Sequence, residues 1–120
     1  FGKSRFDLHY ETPEEKGFVE VKGVTLAAEG IAMFPDAPTE REARHLLELA
    51  EAVEAGYQGC IFFLIQMQGV HLFRPNRAMD PSFARALQWA RDRGVKVLAY
   101  DAVVTENGMT LGHPVPVVLE

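Results

Sequence analysis

Apolar and polar residues alternate along the first third of the chain, and this pattern predicts β-strands. Apolar side chains recur at every second position over residues 6–10 and again over residues 18–26, so each strand has one apolar face. A Glu-Gly pair at positions 29 and 30 is typical of a tight turn and precedes a short apolar segment at residues 31–34. We therefore expect three consecutive antiparallel strands, a β-meander.

The period then changes from two residues to that of a helix. Thr39 and Glu42 have the spacing of a capping box, apolar residues recur at helical spacing behind them, and Gly56 suits a left-handed cap at the carboxyl end. This pattern predicts a helix over residues 39–55. Residues 61–65 are apolar without interruption, which is typical of a central strand that is covered on both faces.

A second helix and two extended segments complete the pattern. Asp80 is the expected cap of a helix over residues 81–93. Residues 95–104 predict another strand, an Asn-Gly hairpin signal follows, and the prolines of residues 115–119 suit the edge of a sheet. The order β-β-β-α-β-α-β predicts an α/β fold with a mixed central sheet flanked by helices.

Composition limits the class of protein. The chain has 120 residues, 48% of them hydrophobic, which suits one domain over residues 1–120. Its 12 basic and 17 acidic residues give a net charge of −5, which disfavours non-specific wrapping around a polyanion. No apolar run is long enough to span a membrane, and the single cysteine, Cys60, fits a reducing compartment, so we expect a cytoplasmic protein. Because the chain opens at Phe1 without a methionine, we also expect N-terminal sequence to precede it.

The register of the first hairpin brings like charges together. Burying the apolar residues of both strands on one face requires opposed residues whose numbers sum to 27. Asp7 then faces Glu20, and Arg5 faces Lys22 on the same polar face. At about 5 Å and an effective dielectric of about 20, the repulsion of each pair is roughly 3 kcal/mol before solvent screening. Some other interaction must offset that repulsion.

Two explanations remain open from the spacing alone. Diagonal salt bridges could join Asp7 to Lys22 and Glu20 to Arg5 on a solvated face. Alternatively, Asp7, Glu20 and the backbone carbonyl of Val21 could hold a divalent cation, since hard oxygen ligands are those that Mg²⁺ prefers. Lys22 could then orient or deprotonate a water for attack on a phosphodiester.

A resemblance to a known family favours the cation. An Asp on one strand and Glu-Val-Lys on the next, in a set of strands followed by helix, strand and helix, resembles the PD-(D/E)XK nuclease superfamily. The more particular resemblance, over nearly the whole chain, is to the sugar fermentation stimulation protein A family. It is carried by the segments Ser4-Arg5-Phe6-Asp7, Phe18-Val19-Glu20-Val21-Lys22, Val24-Thr25-Leu26, Phe34-Pro35-Asp36-Ala37, Thr39-Glu40-Arg41, His45-Leu46, Phe73-Arg74-Pro75 and Val97-Leu98-Ala99-Tyr100.

The resemblance implies a DNA-binding protein in which an OB-like domain precedes a restriction-endonuclease-like domain, with this chain corresponding to the second. It implies catalytic roles for Asp7, Glu20 and Lys22 with Mg²⁺ or Mn²⁺ as the cofactor. Two positions depart from the expected pattern: Phe6 stands in place of a proline, and Glu42 in place of a glycine.

Five further side chains are candidate contacts to nucleic acid. Arg41 and His45 lie in the first turns of the first predicted helix, where capping or solvation is the alternative role. Gln66 ends the central strand and could orient a water. The full set is Arg5, Arg41, His45, Gln66 and Arg74.

The sequence leaves two main functional hypotheses, and it leaves the oligomeric state open. The first is metal-dependent phosphodiester hydrolysis on DNA. The second is a catalytically inactive, non-specific DNA-binding or regulatory protein linked to sugar metabolism. A small-molecule binding domain is disfavoured, because no glycine-rich phosphate loop follows any predicted strand.

Overall fold

Strands and helices alternate through the part of the chain that the structure, a computed structural model, describes, namely residues 8–11 and 16–119. In order, the elements are β1 (Leu8–Glu11), β2 (Lys16–Val24), β3 (Leu26–Ala28), β4 (Ile31–Phe34), α1 (Glu40–Glu54), β5 (Gln58–Ile65), β6 (Leu72–Pro75), α2 (Pro81–Asp92), β7 (Lys96–Thr105) and β8 (Gly108–Pro114).

A five-stranded mixed sheet has the strand order β1-β2-β5-β7-β8. Its three inner strands, β2, β5 and β7, run parallel, and the outer strands β1 and β8 pair antiparallel with their neighbours. The apolar segment at residues 61–65 lies in the central strand β5, as its composition predicted. The α/β fold class with a mixed central sheet is therefore confirmed.

The expected meander is wrong in one respect, because its third strand belongs to a different sheet. The extended segment breaks at Thr25, and β3 pairs with β4 instead of continuing β2. Glu29 and Gly30 have φ angles of 55° and 80°, the two left-handed positions that a tight hairpin turn requires. With β6, which the sequence did not predict, these strands form a separate three-stranded sheet in the order β3-β4-β6.

Both helices form close to the predicted bounds, but the capping box does not form. Thr39 makes no side-chain hydrogen bond at the start of α1. Instead, the buried carboxylate of Asp80 accepts the Thr39 N–H at 3.0 Å and, through its other oxygen, the Phe83 N–H at 3.0 Å. One side chain thus satisfies backbone donors at the starts of both helices, which leaves the carboxylate of Glu42 available for another partner.

The core lies between the helices and one face of the five-stranded sheet. Along β5 the side chains of Ile61, Phe63 and Ile65 are fully buried against both helices, whereas Phe62 and Leu64 on the other face are only partly buried. Among the described residues, both helices pack on the same face. The expectation that this strand is covered on both faces is therefore wrong within them. Neither described helix has the length and apolar character needed to cross a membrane.

Candidate functional site

The predicted register of the first hairpin is confirmed in the described residues. Leu8 pairs with Val19 and His9 pairs with Phe18, so the numbers of opposed residues sum to 27. Asp7 and Arg5, the other members of the predicted charged face, lie outside the described residues.

Glu20 and Lys22 are two residues apart on β2 and therefore point to the same side of the sheet. The helix α1 covers that side, so it is not the solvated face that the salt-bridge explanation required. The side chain of Glu20 is 3% exposed and that of Lys22 is 10% exposed. Both charged groups are thus held in a nearly dry environment, where an unpartnered charge is costly.

Glu42 and His45 of α1 face these two residues. They are three residues apart and therefore lie on one face of the helix. The distances are 2.7 Å from Lys22 Nζ to Glu42 Oε2, 2.7 Å from His45 Nδ1 to Glu20 Oε2, 3.1 Å from Lys22 Nζ to His45 Nδ1 and 3.4 Å from Lys22 Nζ to Glu20 Oε2. We refer to Glu20, Lys22, Glu42 and His45 as the carboxylate–lysine cluster.

The charges of the carboxylate–lysine cluster do not balance. Burial lowers the pKa of His45, the nearby ammonium of Lys22 lowers it further, and the carboxylate of Glu42 opposes both effects. With a neutral His45, two carboxylates face one ammonium, and the formal charge of these four side chains is −1. Arg41 and Arg44 of α1 also lower the pKa of His45, so cationic side chains already offset part of that charge.

One nitrogen of His45 has two possible partners. Nδ1 lies within hydrogen-bonding distance of both Glu20 Oε2 and Lys22 Nζ, yet a ring nitrogen of a neutral imidazole either donates or accepts. In the tautomer with its proton on Nε2, Nδ1 accepts a hydrogen bond from Lys22 Nζ, whereas Glu20 Oε2, 2.7 Å from Nδ1, accepts no hydrogen bond from it. The imidazole therefore hydrogen-bonds to the ammonium and packs against the carboxylate.

A cavity of about 420 Å³ opens beside the cluster at the amino-terminal end of α1. Its polar lining includes Lys22, Glu42, Asp36, Thr39 and Arg41. Arg41 is exposed there. Among the candidate nucleic-acid contacts that the structure describes, Arg41 is the one that lines this cavity together with Lys22. A ligand in this cavity would contact the ammonium from the solvent side.

Of two further candidate nucleic-acid contacts, His45 is buried and Arg74 is exposed. His45 is 4% exposed, far less accessible than the nucleic-acid contact that the sequence predicted, and its neighbours are the charged groups of β2. Arg74 is exposed on β6, where it pairs with Met33 of β4 in the smaller sheet. Arg74 is not part of the lining of the cavity beside Lys22.

Gln66 follows β5, and its amide lies over Gly23 of β2. A Cβ atom added to Gly23 would be 2.6 Å from Gln66 Nε2, so a side chain at position 23 would displace the exposed amide of Gln66. Because Gly23 alternates with Lys22 along β2, the amide of Gln66 lies over the opposite face of the strand from the ammonium. Gln66 is therefore not brought together with the carboxylate–lysine cluster.

The sequence reasoning missed Glu42 as a site residue, since it assigned this carboxylate to a capping box. A signal was present, because Glu42, His45 and Glu48 recur at every third position of α1 and form a polar stripe beside its apolar one. Glu48 is 8% exposed, which is unusual for a carboxylate on an ordinary solvated helix face.

The described residues do not by themselves form a complete metal site. Within them, no three His, Cys, Asp or Glu side chains are arranged to hold a metal ion. The predicted ligand set draws on Asp7, which lies outside the described residues. The part that is described supplies one buried carboxylate, that of Glu20, and the negative charge around it.

The strand order, the two packed helices and the Glu-x-Lys pair on the second strand define a restriction-endonuclease-like α/β domain. The family model described as "Sugar fermentation stimulation protein RE domain" matches residues 1–108. The chain therefore belongs to the sugar fermentation stimulation protein family.

Relatives of similar sequence carry the same family name. The chain is 55% identical over 121 residues to a sugar fermentation stimulation protein homolog of Alkaliphilus oremlandii and covers 52% of that protein. It is 51% identical over 119 residues to a homolog of Desulfitobacterium hafniense, again covering 52%. These alignments take in 98% and 99% of the chain, which thus spans about half the length of the curated relatives it matches.

A solved structure confirms the fold. The structure of Pyrococcus furiosus SfsA in complex with Ca²⁺ superposes with a TM-score of 0.89 at 30% sequence identity. The match covers 98% of this chain and 51% of the Pyrococcus chain.

Proposed function

We propose that this protein binds DNA and that its carboxylate–lysine cluster, together with Asp7 and a divalent metal ion, hydrolyses phosphodiester bonds. The observation that carries the proposal is the placement of Glu20 Oε2 and Lys22 Nζ 3.4 Å apart in a cluster beside an open cavity. With this spacing, the carboxylate can bind a metal cation while the ammonium binds a phosphate oxygen next to that cation.

The donor set fits Mg²⁺ or Mn²⁺. Asp7, Glu20 and the backbone carbonyl of Val21 would hold the ion, because these hard oxygen ligands suit such cations. The Ca²⁺ in the Pyrococcus SfsA structure supports a divalent ion here. When bound, the metal neutralises charge on the scissile phosphate.

Lys22 is the residue proposed to act on the nucleophile. Its ammonium lies between Glu20 and the cavity, so it can orient a water by a hydrogen bond. Contact with the carboxylate of Glu20 restricts the orientation of this ammonium group. Exclusion of water from the cluster strengthens both interactions.

DNA contacts are proposed for the exposed arginines. Arg41 at the cavity and Arg74 on β6 would bind backbone phosphates, together with Arg5 and Gln66. The net charge of −5 makes this chain a weak polyanion binder by itself. We therefore assign much of the DNA affinity to an OB-like domain in the half of the relatives' length that this chain does not cover, in a cytoplasmic protein.

Cleavage of plasmid DNA in Mg²⁺ or Mn²⁺ tests the proposal on the intact protein. Glu20→Gln, Lys22→Ala and Asp7→Asn are each expected to lower the cleavage rate at least about 100-fold, since each removes a group that acts on the reacting atoms. Glu51→Gln on the exposed side of α1 and Lys96→Ala on β7 are matched controls and should cleave at the wild-type rate.

Two results would contradict the nuclease proposal. Equal cleavage by the wild type and by the three site variants would remove these residues from the reaction. Salt-sensitive DNA binding without cleavage at any divalent concentration would favour the inactive, regulatory DNA-binding protein.

The arginine contacts have a separate test in the salt dependence of DNA binding. Arg41→Gln and Arg74→Gln should each reduce the slope of log affinity against log salt by about 1, because each arginine displaces about one counterion from DNA. Fluorescence anisotropy of labelled duplex measures the slope, with Arg85→Gln on the exposed side of α2 as the control. An unchanged slope in the first two variants would exclude those phosphate contacts.

A further inference from the structure

We propose that Glu42 and His45 of α1 are positioning residues for this site: Glu42 holds the ammonium of Lys22, and His45 holds the carboxylate of Glu20. This inference rests on the proposed function for its chemical consequence, although the contacts themselves can be tested without it. Neither residue is placed on the reacting atoms. Each acts through a residue of β2.

The contact between Glu42 and Lys22 is tight and sheltered. Their charged atoms are 2.7 Å apart, and the two side chains are 12% and 10% exposed. Exposed ion pairs contribute little because water screens them, whereas a pair buried to this degree is screened far less. A lysine side chain has many rotamers, so an ammonium fixed before substrate arrives does not have to be ordered during the reaction.

The contact between His45 and Glu20 orients the carboxylate. Nδ1 lies 2.7 Å from Oε2, and the side chains are 6% and 3% exposed. The ring packs directly against this oxygen without a hydrogen bond to it, so it limits the rotation of the carboxylate proposed to bind the metal.

The backbone that carries these two residues is well fixed. Asp80 caps the start of α1, and a Cβ on Gly59 would be 2.9 Å from Val53 Cγ2 and 3.3 Å from the Leu49 carbonyl, so α1 packs closely on β5. β5 in turn pairs with β2 in parallel through eight residue pairs. Sites built on such elements hold their side chains more precisely than sites on loops.

The first experiment observes Lys22 directly. Nitrogen-detected NMR of ¹⁵N-labelled lysine ammonium groups shows signals for those held in persistent hydrogen bonds. We expect a Lys22 signal in the wild type and in Glu51→Gln, its loss in Glu42→Gln, and its return in Glu42→Asp. A Lys22 signal that is unchanged in Glu42→Gln would overturn the role of Glu42.

The second experiment measures metal affinity and needs no catalysis. Isothermal titration with Mn²⁺ should show about 10-fold weaker binding in His45→Leu, and affinity close to wild type in His45→Asn, whose side-chain amide can occupy the place of Nδ1 beside Glu20. Equal affinity in the wild type and both variants would overturn the role of His45. If His45→Leu fails to fold, the Mn²⁺ affinities of His45→Asn and His45→Ser are compared instead. The serine variant should bind Mn²⁺ more weakly, since a hydroxyl is too short to reach Glu20.

The kinetic signature separates positioning from mere stability. In a cleaving protein, Glu42→Gln should lower kcat about 10- to 100-fold with KM for DNA nearly unchanged, and Glu42→Asp should recover part of it. A loss confined to KM would overturn the inference. If the wild type neither cleaves DNA nor binds Mn²⁺, the proposed function fails, and the Lys22 signal alone then decides whether Glu42 positions the lysine.

Discussion

At the scale of single residues, Lys22 lies between two carboxylates and is closer to the one from the helix. Its Nζ is 2.7 Å from Glu42 and 3.4 Å from Glu20. Coulomb attraction varies inversely with distance, so Glu42 attracts the ammonium about a quarter more strongly at equal dielectric. The residue spacing on β2 placed Lys22 beside Glu20, but the helix determines where the ammonium is held.

Cys60 provides a residue-scale prediction about pH. Burial raises the pKa of its thiol, and the ammonium of Lys96 partly opposes this. At pH 8 we expect Cys60 to react more slowly with Ellman's reagent in the native protein than in the protein unfolded by urea, because less thiolate is present. Because Cys60 is the only cysteine of the chain, the measured reaction can be assigned to it.

The same shift sets a pH window for stability. The pKa of the Cys60 thiol is higher in the folded than in the unfolded protein. Its contribution to the free energy of unfolding is therefore fully present below the unfolded-state pKa of about 8.5 and is lost as pH rises through the folded-state pKa. Urea unfolding of wild type and Cys60→Ala should therefore converge as pH rises from 8 to 10. Equal reaction rates in the native and unfolded protein would contradict the assignment.

At the scale of elements, the two helices share one cap. Asp80 binds the Thr39 N–H at the start of α1 and the Phe83 N–H in the first turn of α2. A negative charge near two helix starts also interacts favourably with both helix dipoles. The carboxylate couples the placement of α1, which carries Glu42 and His45, to that of α2.

Removal of this cap should destabilise the fold measurably. Asp80→Ala leaves two backbone donors without their partner in a buried place, and we expect a loss of about 1–3 kcal/mol in the free energy of unfolding. Asp80→Ser should lose less, because a hydroxyl can still accept from Phe83. Urea unfolding followed by circular dichroism measures the change, with the exposed Asp92→Ala as control. Similar stabilities for Asp80→Ala and the control would show that the shared cap contributes nothing.

At the scale of the whole molecule, the two faces of the five-stranded sheet differ. One face packs on the helices through fully buried side chains such as Phe63. The other face, defined by Val21, Phe62, Leu64, Leu98 and Tyr100 and called here the outer face, is partly exposed, and Leu98 is 42% exposed. Phe62 and Tyr100 stack on it with ring centroids 5.4 Å apart.

This difference predicts unequal costs for truncation on the two faces. Phe63→Ala should cost about 3–5 kcal/mol, because it leaves a cavity in the core, whereas Leu98→Ala should cost less than about 1 kcal/mol. Urea unfolding of the two variants provides the comparison. A large cost for Leu98→Ala would mean that further polypeptide covers the outer face in solution.

Much of the local structure was predictable from short-range patterns. The bounds of both helices, the turn at Glu29-Gly30, the central strand and the hairpin register follow from periodicity and turn chemistry within a few residues. The alternation of side chains along a strand places Glu20 and Lys22 on one side of β2. The sequence by itself therefore determined the α/β class and two of the residues at the candidate site.

Only the tertiary structure decided which partners these residues take. Glu42 had a local alternative as a cap, and it was Asp80, 41 residues from Thr39 along the chain, that occupied the capping position. His45 lies 23 residues from Lys22 in sequence, and no local pattern distinguishes a buried contact there from a solvated one. Separate sheets for β2 and β3 likewise depend on distant pairing with β6. Local and long-range hydrogen bonds have similar energies, so the packed arrangement that satisfies most groups at once determines the outcome.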